Sequence, residues 1–246
     1  MKNKTALITG ATGAIGSEIA RLLAANQVDL MLHYNTNTEK ALTIKQECEE
    51  LGAFVTLFRA DISVNDEIEK MFNIISESGN NPDILVNTVG ISHYGLIQDI
   101  SFQEWNMLLN TNVMSSFFCI KNCLPHMIRQ KYGRIINISS IWGEVGSANE
   151  SLYSLTKGSI NSLTKSLAKE LGPSGITVNA IAPGMVPSKM NDCFTNQELH
   201  IIKNEIPLHR FSKAIEIAQT VLHLIHPNSE YITGQIITID GGFSLI

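Results

Sequence analysis

Ser140, Tyr153 and Lys157 are the residues in this chain best suited to chemistry. Tyr153 and Lys157 stand four apart, so on a helix they share a face, and Ser140 follows the β-branched run 134–138. A phenol with a pKa of about 10 is a poor acid or base at neutral pH, but a neighbouring ammonium favours the phenolate and brings it into working range. Ser140 can then orient a carbonyl while Tyr153 passes it a proton. A Tyr and a Lys at this spacing more often form a solvated helix face. Their position, after a strand and downstream of a glycine-rich turn, favours the catalytic reading.

That turn is Thr9-Gly10-Ala11-Thr12-Gly13-Ala14-Ile15-Gly16. Gly10 permits a sharp bend and Gly16 a close helix contact, and the N-H groups opening the next helix suit a pyrophosphate. Placement in the first βα unit of an alternating chain lifts it above an ordinary tight turn. An acid at the end of the second strand would hold a free ribose 2'-hydroxyl. The run here, Leu30-Met31-Leu32-His33-Tyr34-Asn35, has none, which leans towards NADP without excluding NAD. No Arg stands at that strand end to strengthen the lean.

These groups need a scaffold. Short apolar or β-branched runs near 4–9, 29–34, 54–58, 83–86, 133–138, 176–181 and 236–239 predict strands. Helical periods fit 14–25, 39–51, 65–78, 103–130, 152–171 and 213–225, the long fourth stretch breaking near Asn110. The expectation is an α/β chain in which one doubly wound parallel sheet of about seven strands, with helices on both faces, makes a single Rossmann domain over 1–246. Ligands bind such a sheet beyond the carboxyl ends of its strands. The irregular stretch 185–207, with Pro187, Asn191, Asp192, Asn196 and Pro207, is a candidate substrate loop at that edge.

Composition sets the limits. With 246 residues, 44% hydrophobic and 17% charged, the chain can bury a large core. Its formal charge of -5 argues against nucleic acid or an anionic membrane as a general partner. The start, MKNKTALITGATGAIG, does not read as a signal peptide, and no apolar run is long enough for a membrane span, so a cytoplasmic location is expected. Cys48, Cys119, Cys123 and Cys193 include no CxxC pair. Cys119 and Cys123, like His223 and His226, are expected to serve buried packing and not a metal.

Taken together, the motifs resemble the short-chain dehydrogenases and reductases, nearly end to end. Thr9 to Gly16 fits TGxxx[AG]xG, and Asn87-Thr-Val-Gly90 stands where that family usually has NNAG. Asn112, with Phe117 five residues on, then Ser140, Tyr153 and Lys157 fit the family's tetrad. Asn179-Ala-Ile-Ala-Pro183-Gly184 fits the turn beneath the nicotinamide, and Ile232 to Gly242 fits the carboxyl-terminal signature. The resemblance implies an NAD(P)H-dependent oxidoreductase reducing a ketone. Tyr153 would be the acid, Lys157 would lower its pKa and bind the nicotinamide ribose, Ser140 would hold the substrate oxygen, and Asn112 would anchor a water. Gly10, Thr12, Gly13, Ile15, Gly16, Tyr34, Asp61, Ile62, Asn87, Gly90, Tyr153, Lys157, Pro183, Gly184, Val186 and Ser188 would line the cofactor, Asp61 capping the adenine and Ser188 meeting the carboxamide.

Within the family the chain most resembles 3-oxoacyl-[acyl-carrier-protein] reductases of fatty acid biosynthesis, through GRIINISS and ELGPSGITVNAIAPG. Those enzymes meet an acidic carrier through basic surface residues. Lys131 keeps one such position, Ser174 loses another, and Arg129 and Arg134 are candidates to compensate. Trp142 and Glu150 resemble instead the reductases of the 5-aminopentanone modification on elongation factor P, Glu150 favouring a cationic amine near the entrance. A dinucleotide-sensing protein without turnover is the alternative of another class, and the complete tetrad argues against it. The family also implies a homotetramer, for which Phe117, Phe118, Ile160, Leu163 and Leu167 offer apolar positions.

Overall fold

The computed structural model describes residues 4–192 and 194–245; Cys193 lies outside the described residues. Seven strands make one parallel sheet: β1 (Lys4–Thr9), β2 (Val28–Tyr34), β3 (Val55–Arg59), β4 (Ile84–Asn87), β5 (Gly133–Ile138), β6 (Ile176–Pro183) and β7 (Ile236–Ile239). Their order is β3-β2-β1-β4-β5-β6-β7. Strand order reverses between β1 and β4, which opens a crevice above their carboxyl ends. Thr9 pairs with Asn87 in register, and Asn87 with Asn137. The residues that leave the sheet toward that crevice therefore start level with one another.

Near-continuous apolar runs make these strands, as expected where both faces are covered. On one face lie α1 (Ala14–Ala25), α2 (Thr38–Glu50) and α9 (Ala214–Ile225), packed on Ile8, Leu30, Leu32 and Val86. On the other, α3 (Asn65–Glu77), α5 (Ser115–Gln130) and α7 (Ser151–Leu171) cover Leu7, Leu85, Ile135 and Val178. Each of these large buried side chains contributes about 1.5–3 kcal/mol. Cys119 and Cys123 belong to this second core, where burial pushes the Cys119 thiol up to about 12. His223 and His226 do not: both are exposed, because each falls on the outer side of the end of α9.

Three regions depart from expectation. The long helical stretch changes type at Asn110 without leaving the helix: α4 (Phe102–Leu109) passes through a π-helical turn, Asn110–Met114, into α5. The stretch 185–207 is not irregular throughout, since it holds α8 (Asn196–Glu205), started by a capping box between Thr195 and Glu198. A one-turn helix, α6 (Trp142–Val145), follows Ser140. The apolar surplus expected to pair subunits is mostly consumed within the chain. Ile160 is buried and Phe118, Leu163 and Leu167 pack against the second core, while Phe117 stays exposed.

Candidate active site

Asn112, Ser140, Tyr153 and Lys157 converge at the carboxyl ends of β4 and β5, and none is more than 7% exposed. Asn112 sits in the π-helical turn, where the widened backbone aims its amide inward. Its Oδ1 accepts from Ile91 N at 2.8 Å, and its Nδ2 donates to Ile91 O at 2.8 Å and Thr156 Oγ1 at 3.0 Å. Thr156 Oγ1 in turn donates to Tyr153 O at 2.7 Å. One amide thus ties the loop after β4 to the helix carrying the acid. Lys157 donates from Nζ to Ile138 O at 2.9 Å, and its ammonium lies 5.7 Å from the Tyr153 ring centre. α6 approaches α7 so closely that a Cβ on Gly143 would meet the Lys157 carbonyl carbon at 2.7 Å.

Burial dominates the electrostatics. The Lys157 ammonium is pulled down to about 8 by desolvation, so it still carries its charge at neutral pH. Tyr153 goes the opposite way to expectation. Burial raises its phenol well above 10, outweighing the Ser140 hydrogen bond that lowers it. With Nζ engaged by the Ile138 carbonyl, the ammonium does not offset that desolvation, and the chain alone holds Tyr153 as a protonated acid.

The glycine-rich turn has the shape a pyrophosphate needs. Gly10 has φ +68, and a Cβ there would meet Val89 Cγ2 at 2.8 Å; a Cβ on Gly16 would run into Gly10 O. α1 is capped at Gly13 by no side chain and has no acid in its first turn, so no side chain of its own takes up its leading N-H groups. Thr88, where the family motif has Asn, shares its hydroxyl proton between Thr9 O and Gly10 O, while its N-H donates to Thr9 Oγ1 at 3.2 Å. Asn87 donates to Asn137 Oδ1 at 3.0 Å, and its own buried Oδ1 lacks a partner among the described residues. Gly90 lies against Lys157, 3.1 Å from a built Cβ to Nζ.

Further along, Asp61 accepts at Oδ1 from Ser63 N and Oγ, with Ile62 buried beside it. Tyr34 ends β2, 8% exposed. Gly184 donates to Ile239 O at 2.9 Å, pressed on Asp240, with Pro183 ending β6 and Val186 buried beyond it. Ser188 accepts from Met190 N at 3.3 Å and so caps the turn Lys189–Asn191 in this conformation. Thr12 and Ile15 are half-buried at the turn.

Above the tetrad, Trp142 and Glu150 are brought together. Glu150 is half-buried and accepts from Ser147 Oγ at 3.4 Å, the Trp142 side chain lies near enough to act on its carboxyl, and desolvation raises that carboxyl. It lies close enough to Tyr153 to influence that phenol. Trp142 also packs edge-on against Phe243, ring centres 5.7 Å apart. Across the opening, Tyr94 from the loop after β4 meets Phe194 from the stretch before α8 at 6.0 Å, and Asn149 Nδ2 donates to the Tyr94 hydroxyl.

Some participants were not found from sequence. Thr156 is visible there only as a Thr one residue before Lys157. Arg59, at the end of β3, supplies the cation that the end of β2 lacks: paired beside Tyr34, it donates from Nε to Asn35 O at 3.2 Å. Strand adjacency was the available signal. Arg134, by contrast, is no surface base. It is 3% exposed, packed over the Tyr132 ring at 4.4 Å and donating to Gly133 O, because its guanidinium is folded back along β5. Lys131 and Ser174 precede the amino ends of β5 and β6, the opposite edge from the tetrad, where a Cβ on Gly175 would strike Lys131 O.

Comparison with known proteins follows this architecture. A family profile described as enoyl-(acyl carrier protein) reductase matches residues 10–244. The chain is 43% identical over 242 residues to the uncharacterised oxidoreductase YmfI of Bacillus subtilis, covering 98% of this chain and 99% of that one. It is 38% identical over 239 residues to a 3-oxoacyl-[acyl-carrier-protein] reductase of Staphylococcus aureus, covering 97% of each. Among solved structures, a short-chain dehydrogenase/reductase from Serratia marcescens superposes with a TM-score of 0.92 at 30% identity, covering 99% of this chain and 98% of that one. With this sheet order, this turn and these relatives, the chain belongs to the short-chain dehydrogenase/reductase family of oxidoreductases.

Proposed function

We propose that the protein reduces a ketone to a secondary alcohol with NADPH. The observation that carries this is a buried Tyr153 whose phenol desolvation holds in its protonated form, set beside Ser140 and backed by the Lys157 ammonium. A bound nicotinamide supplies the hydride. Ser140 holds the ketone oxygen and Tyr153 delivers its proton there as the oxygen gains charge. Lys157, charged at neutral pH, stabilises the phenolate left behind and binds the nicotinamide ribose. Asn112 holds the loop after β4 and the start of α7 in register, and beside it a water can return the proton. Arg59 and Lys40, one exposed at the end of β3 and one in the first turn of α2, favour a 2'-phosphate over a bare hydroxyl.

For the substrate, the pocket supports best an amine-bearing ketone, the 5-aminopentanone on elongation factor P. Glu150 carries that reading: a carboxylate desolvated above the acid gains most from an incoming ammonium and would repel an anionic arm. The second reading, a 3-oxoacyl group on acyl carrier protein, is favoured by the 38% identical relative of that name. It is weakened by the burial of Arg134, which removes one of the bases that could join Arg129 and Lys131 at the far edge. The test is NADPH oxidation with each substrate, in the parent and in Glu150→Gln. The proposal expects faster turnover of modified elongation factor P and a loss of about tenfold in kcat/KM in the variant. Rapid reduction of acetoacetyl-carrier protein with none of the modified factor would select the second reading.

A further inference from the structure

His33 is the last but one residue of β2 and is 1% exposed. Its ring lies between the ends of two other strands. Nδ1 accepts from Gly10 N at 3.1 Å, and Nε2 meets Ala60 O at 3.0 Å. A carbonyl only accepts, so Nε2 carries the proton and the ring is neutral. The main chain of the same residue holds the next amide, Ala11 N donating to His33 O at 2.9 Å. Two successive N-H groups of the glycine-rich turn are therefore fixed by one residue. The carbonyl side of Gly10 is fixed as well, accepting from Gly13 N at 2.9 Å.

We infer that His33 is a positioning residue for dinucleotide binding, its neutral imidazole setting the Gly10 peptide so that the turn and the start of α1 are aimed at a pyrophosphate. The inference rests on the dinucleotide reading given above. Gly10 has φ +68 at a point where Val89 and Thr88 leave no room for a Cβ, and His33 holds its N-H. Without that acceptor the part-buried N-H is left unpaired, and the turn gains freedom that binding must remove. A protonated ring would set an N-H against the Gly10 N-H. Desolvation lowers the pKa of His33 and opposes that event, the Ala60 carbonyl and the Asp61 carboxylate pulling the other way. On the β1 side the ring meets the uncharged turn, and among the described residues the charged group acting on it is Asp61, beyond β3.

Two substitutions separate the ring's two bonds. In His33→Asn the amide oxygen can take the place of Nδ1 and keep the Gly10 contact, while in His33→Gln the longer amide can reach Ala60 O and leaves Gly10 unpaired. NADPH affinity is read by quenching or transfer fluorescence, with a thermal melt beside it. H33N should bind within about twofold of the parent, and H33Q about tenfold more weakly, although each has lost one hydrogen bond. Affinity in the parent should fall with an inflection below pH 6.5 that H33N lacks, the ligand's own titration being common to both. Equal losses in the two variants, or no loss in H33Q, would overturn the inference. Should H33Q fail to fold, H33N still decides: a large loss of affinity in it, or an unchanged acid inflection, overturns the inference. A parent that binds no dinucleotide at any pH overturns the functional reading and this inference with it.

Discussion

Asn112, Ser140, Tyr153 and Lys157 are nearly sealed from solvent, and the amide and ammonium among them are anchored to main-chain carbonyls or amides. A short distance above them, Trp142, Glu150, Tyr94 and Phe194 are half-buried or exposed and hold one another by side chains. Main-chain anchors move only if the fold moves, whereas a side-chain pair can be exchanged without touching the sheet. The lower layer is therefore built to keep one chemistry fixed, and the upper layer is where selectivity for a ketone can change. Removing a group from each layer should produce losses of different kind and size.

The largest effect belongs to Tyr153→Phe. Losing the acid should lower ketone reduction by about 10²–10⁴-fold while NADPH affinity stays near the parent's, since the phenol's proton and not its ring is removed. Stopped-flow hydride transfer and a binding titration check the two halves. Parent-like reduction of every ketone tried would remove Tyr153 from the chemistry.

Lys157→Met tests the price of the lower layer. Burial drops Lys157 from 10.5 to about 8, so between those values the unfolded chain binds more protons than the folded one. Stability from this group therefore rises with pH across that window, and below about 8 the buried charge costs about 3 kcal/mol. The Met variant removes that cost and gives up the bond to the Ile138 carbonyl, worth about 1–2 kcal/mol. It should be inactive yet melt a few degrees higher than the parent at pH 7, the gap closing toward pH 10. A lower melting temperature at pH 7 would mean that the hydrogen bond outweighs the desolvation.

The same contrast governs what could be read from the chain itself. Ser140, Tyr153 and Lys157 stand out because their chemistry lies in residue type and short spacing, and strand limits such as 133–138 follow from continuous apolar runs. His33, Thr156 and Arg59 do not stand out, because each acts through a partner 23, 44 or 24 positions away that only the assembled sheet brings near. Arg134 misleads, since a charge beside a strand suggests exposure while Tyr132 covers it. α8 is hidden by its polar composition, although Thr195 and Glu198 already formed the capping-box signal. The phenol of Tyr153 departs from expectation for a different reason: a neighbouring cation is visible in sequence, but the depth of burial that outweighs it is not.

Phe194→Ala should give the smallest effect and the sharpest reading of the upper layer. Phe194 touches Tyr94 edge-on across the opening, a contact worth about 0.5–1.5 kcal/mol beyond burial. Tyr94 is held in turn by Asn149, whose own carbonyl accepts from Gly95 N at 2.7 Å, so one side of the opening stays in place when the other is cut. The stretch before α8 would then open more often, and substrate would be held less long. KM for the ketone should rise about two- to tenfold, with kcat unchanged or increased if opening limits product release. Because the tetrad draws none of its hydrogen bonds from Phe194, a fall in kcat with KM unchanged would show that the two layers are coupled, and that the upper one helps to set the geometry of proton transfer.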